Sequence, residues 1–150
     1  MLKDDLKNLI DNWEKDKDFS GGVGDKEIQE AELKLNVPFP ESYKWFLKNY
    51  GHGNIGGTTI EGIYNSTYFP VVEATIEMRN HGLEQCYVVI NDRGEFCYCL
   101  DTSNLVDNEC PVVVWSMDGI KRDYQWDNMY SFLLEEFQRE INCILEDEDL

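Results

Sequence analysis

Apolar positions recur at helical spacing in the first third of the chain. Leu2, Leu6, Leu9, Ile10 and Trp13 alternate with lysines and aspartates, so residues 2–15 are expected as an amphipathic helix with its stripe turned inward. The glycines of Ser20-Gly21-Gly22-Val23-Gly24 interrupt it. Gly24 or Asp25 can cap a second helix, because Glu27 and Glu30 favour its positive N-terminal end, and Ile28, Ala31, Glu32 and Leu35 then share one face. Pro38 and Pro40 lack amide hydrogens and push their predecessors toward extended geometry, which stops that helix. Pro40 suits the first turn of a third helix, whose inward face is Tyr43, Phe46, Leu47 and Tyr50 and which Gly51-His52-Gly53 ends.

From Asn54 onward the runs shorten. Thr58-Thr59-Ile60 and Ile63-Tyr64 read as a first strand or pair of strands, and residues 70–81 as a helix carried by Val71, Val72, Thr75, Ile76 and Met78. Residues 86–91 and 95–101 flank Asp92-Arg93-Gly94 as a β-hairpin. With Arg93 and Gly94 as the loop, Ile90 lies opposite Cys97 and Val88 opposite Cys99, so both thiols share one apolar face. Tyr87, Val89, Tyr98 and Leu100 take the other, and a ribbon apolar on both faces is expected at the centre of its sheet. Residues 110–117 form the next strand, residues 119–127 a loop, and residues 128–145 a helix with a stripe of Met129, Phe132, Leu133, Phe137, Ile141 and Leu145. The acidic tail, residues 146–150, is expected to fray. Without internal repeats or a linker, the expectation is one α+β domain over residues 1–150. Its central sheet is mainly antiparallel between about residues 55 and 117, with N-terminal helices and a long C-terminal helix.

Composition narrows what such a domain can do. The 150 residues carry 13 Lys and Arg against 30 Asp and Glu, a net charge of -17, which repels nucleic acid and anionic membranes. A disordered chain of that charge would be poor in aromatics, whereas this one holds 4 Trp, 8 Tyr and 7 Phe. The N-terminus carries acids where a signal peptide has a basic region and an apolar core, and no apolar run reaches the length of a bilayer span, so a cytoplasmic location is expected. Five cysteines without framework spacing suit reduced thiols.

Six segments of the sequence carry a resemblance. Residues 27–35, Glu27-Ile28-Gln29-Glu30-Ala31-Glu32-Leu33-Lys34-Leu35, are followed by Val37-Pro38-Phe39-Pro40-Glu41-Ser42-Tyr43-Lys44-Trp45-Phe46-Leu47 and by the glycine turn at Gly51-His52-Gly53. Together with Tyr98-Cys99-Leu100-Asp101, Val113-Val114-Trp115 and Met129, Phe132 and Leu133, they resemble the SUKH superfamily over about residues 25–135. The turn departs from the family's asparagine-glycine-glycine, reading Asn49-Tyr50-Gly51-His52-Gly53. The resemblance implies an α+β fold and, for many members, an immunity protein that neutralises the toxin encoded beside it in bacterial polymorphic toxin systems, with nucleases as frequent partners. It also implies an alternative, an intracellular regulatory or scaffold protein that binds a cellular partner. Glu32, Pro40, Tyr43 and Phe46 are read within it as fold determinants.

The residues themselves offer little to an enzyme. Cys97-x-Cys99 with Cys86 and Cys110 lacks the two-residue spacing of a metal knuckle, so no metal and no cofactor is expected. Neither His52 nor His81 stands in a catalytic motif, and the glycines of residues 51–57 lack the strand and lysine of a phosphate loop, so they read as a connecting turn. The informative segment begins at Trp115. Trp115, Asp118, Asp123, Tyr124, Trp126 and Asp127 interleave aromatic anchors with carboxylates that can meet the lysines or arginines of a basic toxin. The competing reading makes both tryptophans core residues and the acids a solvated loop.

Overall fold

Gly24 caps helix α2 (Asp25–Leu35), its N–H donating to Glu27 Oε2 at 3.2 Å, and Asn36 closes the helix in the left-handed conformation with φ 56°. The computed structural model describes residues 2–119 and 122–148, and of residues 122–124 only the backbone. The other helices are α1 (Leu2–Asn12), α3 (Glu41–Asn49), α4 (Pro70–Arg79) and α5 (Met129–Glu148). Strands β1 (Lys17–Phe19), β2 (Gly53–Ile55) and β3 (Thr58–Ile60) form one antiparallel sheet. Strands β4 (Tyr87–Asp92), β5 (Cys97–Asp101), β6 (Val112–Trp115) and β7 (Arg122–Trp126) form a second, in that order. The expected α+β domain is therefore present, with its strands divided between two sheets.

The core lies between the helices and one face of the larger sheet. Tyr43, Phe46 and Leu47 of α3 and Phe132, Leu133 and Phe137 of α5 are fully buried, with Phe19 edge-on to Phe46 and Phe137 at 6.1 Å. Tyr43 donates its hydroxyl to the Glu61 carbonyl at 2.7 Å. The small sheet is tied to β4 by Glu61 N–H on the Ile90 carbonyl at 2.8 Å and by Asn91 Nδ2 on the Thr59 carbonyl at 2.7 Å. Buried Glu136 accepts from Arg93 at 2.8 Å and from Arg139, while Arg93 also donates to Thr58 Oγ1 at 2.9 Å. That network fastens the β4–β5 turn, the small sheet and α5 together. Gly51 requires its glycine, because φ is +74° and a Cβ would stand 2.1 Å from the Gly21 carbonyl.

Several expectations fail. Residues 122–126 are strand β7 rather than loop: Tyr124 and Trp126 alternate with Asp123 and Gln125, but over four residues only, too short a run to announce an edge strand. Strands β1 and β2 are three residues each, too short to leave a pattern, and β2 lies within the glycine segment read as a connecting turn. Ile63 and Tyr64 are outside any strand, and α1 ends at Asn12. The C-terminal acids to Glu148 continue α5, with Lys15 bonded to Glu148 at 2.5 Å. Strand β4 stands at the end of its sheet, not the centre, its outer edge occupied by the small sheet instead.

The hairpin register differs too. Arg93 N–H bonds the Phe96 carbonyl, so the loop is shifted to Gly94 and Glu95 from the expected Arg93 and Gly94, and a bulge interrupts the ladder between Val89 and Asn91. Beyond the bulge Cys99 pairs with Val89 and Leu100 with Val88. A one-residue slip exchanges faces. Both thiols do share a face, but with Val89, while Val88 and Ile90 join Tyr98 and Leu100 in the main core.

Candidate interaction surface

Strand β6 sorts its side chains by alternation. Val112 and Val114 turn toward the main core, whereas Val113 and Trp115 turn to the opposite face with Cys97, Cys99, Val89, Met78 and Leu83. Helix α4 packs along β4 on that outer side and covers Val89 and both thiols. Val113 and Trp115 remain half-exposed, Tyr87 likewise, and Gln125 beside Val113 is exposed. The outer face is thus sealed at its β4 end and open at β6 and β7.

The six expected contact residues divide across this sheet. Trp115 lies on the open outer face, and exposed Asp118 follows in the turn after β6, accepting from Ser116 Oγ at 2.7 Å. Trp126 pairs with Val112 and enters the main core at 8% exposure, 5.3 Å from Tyr98 and 4.9 Å from Phe132, with its indole N–H donated to Glu135. Its geometry is that of a packing residue, not of a contact anchor. Asp127 is exposed at the far end of β7, a strand about 16 Å long, and so is remote from Asp118. The side chains of Asp123 and Tyr124 lie outside the described residues.

Carboxylates surround the open face. Glu61, half-buried beside β4, is pushed up to about 7 by burial and by its neighbours Asp92 and Glu73. Burial and Asp92, with a smaller push from Glu61, carry Cys97 up to about 12, and burial holds Cys99 well above its ordinary range, so these thiols stay protonated and unreactive. Tyr87 is raised to about 12 by burial, Asp101 and Glu84. Tyr87, Val113 and Glu61 are not among the contact residues expected from the sequence. Alternation within Pro111-Val112-Val113-Val114-Trp115 could have exposed Val113, but nothing local marks Glu61.

A polar cleft of about 490 Å³ opens on the small sheet between Asp18, Ser20, His52, Asn54, Thr59 and Tyr64. His52 Nδ1 accepts the Gly62 N–H at 3.1 Å, and burial lowers its pKa, which keeps the imidazole neutral at pH 7. A neutral ring beside Asp18 gives the glycine-rich segment no cation with which to hold a phosphate.

Comparison with known proteins adds a family and a fold. The family described as SUKH_5, SMI1-KNR4 cell-wall, matches residues 6–138. A crystal structure of a protein from Pseudomonas syringae pv. tomato is similar at a TM-score of 0.68 and 16% identity, covering 85% of this chain and 92% of that one. Among the described residues no helix is long and apolar enough to cross a membrane.

Proposed function

The chain belongs to the SUKH_5 family of SMI1-KNR4 proteins, and from that premise we propose that it is a cytoplasmic immunity protein that neutralises a cognate bacterial toxin by stoichiometric binding. The family match over residues 6–138 carries the reading, and the net charge of -17 supports it: a toxin built to act on nucleic acid presents a basic surface, which an acidic protein attracts and covers. Inhibition of this kind occludes the toxin's active site or substrate groove without turnover and needs no catalytic group. Trp115 and Asp118 head the contact residues, with Asp123, Tyr124 and Asp127 along β7.

The family description refers to the cell wall, which favours the second reading, a regulatory protein with a cellular partner. Co-purification and co-expression with the toxin encoded by the adjacent gene separate the two. Protection should titrate to one equivalent, and raising salt from about 50 to 500 mM should slow association far more than it speeds dissociation. A toxin that is neither bound nor inhibited would remove the immunity reading.

A further inference from the structure

Taking the nature of the partner from the immunity reading, we infer that the open outer face of the four-stranded sheet, centred on Val113 and Trp115, docks a basic protein segment whose lysine or arginine seats beside Glu61. The face is apolar at its centre and lacks a cover: α4 spans β4, and among the described elements none packs against β6 on this side as α4 packs against β4. Half-exposed Val113 and Trp115 stand two residues apart on the outer face of β6, and half-exposed Tyr87 stands on β4 beyond the buried Cys97 and Cys99 of β5. An apolar face of this kind with a polar rim is the usual form of a protein contact surface.

The rim fixes the chemistry of the occupant. Asp92, with Glu61 and Glu73 near it, and Asp118 lie at the Trp115 end of the strands, because Asp92 pairs with Cys97 and Cys97 with Trp115, while Glu84 flanks Tyr87 at the opposite end. The described ion pairs employ lysines and arginines elsewhere, on Asp11, Asp25, Glu30, Glu32, Glu136 and Glu148. No described cation reaches Glu61, Glu73, Glu84 or Asp92, so a partner's cation supplies what the fold does not.

Glu61 makes the idea quantitative. It is faced by Asp92 of β4, by Glu73 of α4 and by the Cys97 thiol of β5, with the Tyr43 hydroxyl on its own carbonyl and neutral His52 on Gly62 N–H. Its pKa near 7 means that the free protein holds a proton there part of the time at neutral pH. A cation arriving beside it lowers that pKa and expels the proton. Binding therefore tightens as pH rises, by at most about tenfold from pH 6 to 8, the limit for one group titrating near 7.

The test uses the intact protein, isotopically labelled, titrated with the synthetic peptide Lys-Trp-Lys-Trp-Lys and followed by amide shifts. The shifts should gather at residues 61, 87 and 113–117, with affinity rising severalfold from pH 6 to 8. Glu61→Gln should remove the pH dependence, and Trp115→Ala should weaken binding at least fivefold in a protein with unchanged dispersion elsewhere. Shifts collected at the acidic end of α5 or in the α1–α5 groove at Leu9 and Trp13, shifts spread evenly over the surface, or a pH dependence retained by Glu61→Gln, would overturn the inference. The peptide reports on the face alone and toxin inhibition on the immunity reading, so each can fail without the other.

Discussion

The two faces of the four-stranded sheet are built from the same strands and do opposite things. On the inner face Val88, Ile90, Tyr98, Leu100, Val112 and Trp126 are buried under α3 and α5, and Trp126 meets Tyr98 and Phe132 edge to face. On the outer face their sequence neighbours Tyr87, Val113 and Trp115 are half-exposed and ringed by acids. The difference shows how a small domain separates stability from recognition: alternation along a strand gives one set of residues to the core and the next set to solvent or a partner. It also explains why two tryptophans eleven positions apart, Trp115 and Trp126, have unlike roles.

The largest expected effect is on the inner face. Trp126→Ala removes packing against Tyr98 and Phe132 and should cost about 3–5 kcal/mol in urea unfolding, whereas Trp115→Ala should cost about 1 kcal/mol. Equal losses would erase the distinction between the faces. Next comes the network behind the inner face. Burial keeps Glu136 above its ordinary carboxylate range even with Arg93 and Arg139 beside it, so Arg93→Ala should destabilise by about 2–3 kcal/mol, and Arg93→Ala with Glu136→Gln should recover part of that. The smallest effect belongs to the outer rim. Glu61 has its folded pKa raised from 4.5 to about 7, so its stabilising contribution is complete below pH 4.5 and is lost as pH rises through 7. Solvent screening limits that loss to roughly 1 kcal/mol, and Glu61→Gln should flatten the stability profile between pH 5 and 8.

Much of the inner face was legible in the sequence. The stripes of α2, α3 and α5 and the proline boundaries at Pro38 and Pro40 depend on spacing within one element, which the sequence displays directly. The hairpin was found, but its bulge at Ile90 was not, because a bulge is fixed by where the loop falls and by the small sheet lying against β4. Strand β7 was hidden by the shortness of its alternating run. The candidate surface was only half visible: Trp115 and Asp118 stand out as residue types, while Glu61 is brought to the rim by contacts between the two sheets. Trp126 looked like Trp115 because residue type alone does not reveal which face a strand turns inward.

The four tryptophans allow one direct measurement of the proposed division of labour. Trp115 lies on the outer face and Trp126 in the core, while half-buried Trp13 and Trp45 lie on α1's C-terminal side and on α3. Hydroxyl-radical footprinting of the protein, alone and bound to the toxin encoded by the adjacent gene, reads all four at once. Trp115 should lose most of its reactivity in the complex, Trp13 and Trp45 should keep theirs, and Trp126 should be unreactive in both states. Protection of Trp13 or Trp45 with Trp115 unchanged would contradict the assignment of the outer sheet face as the binding surface.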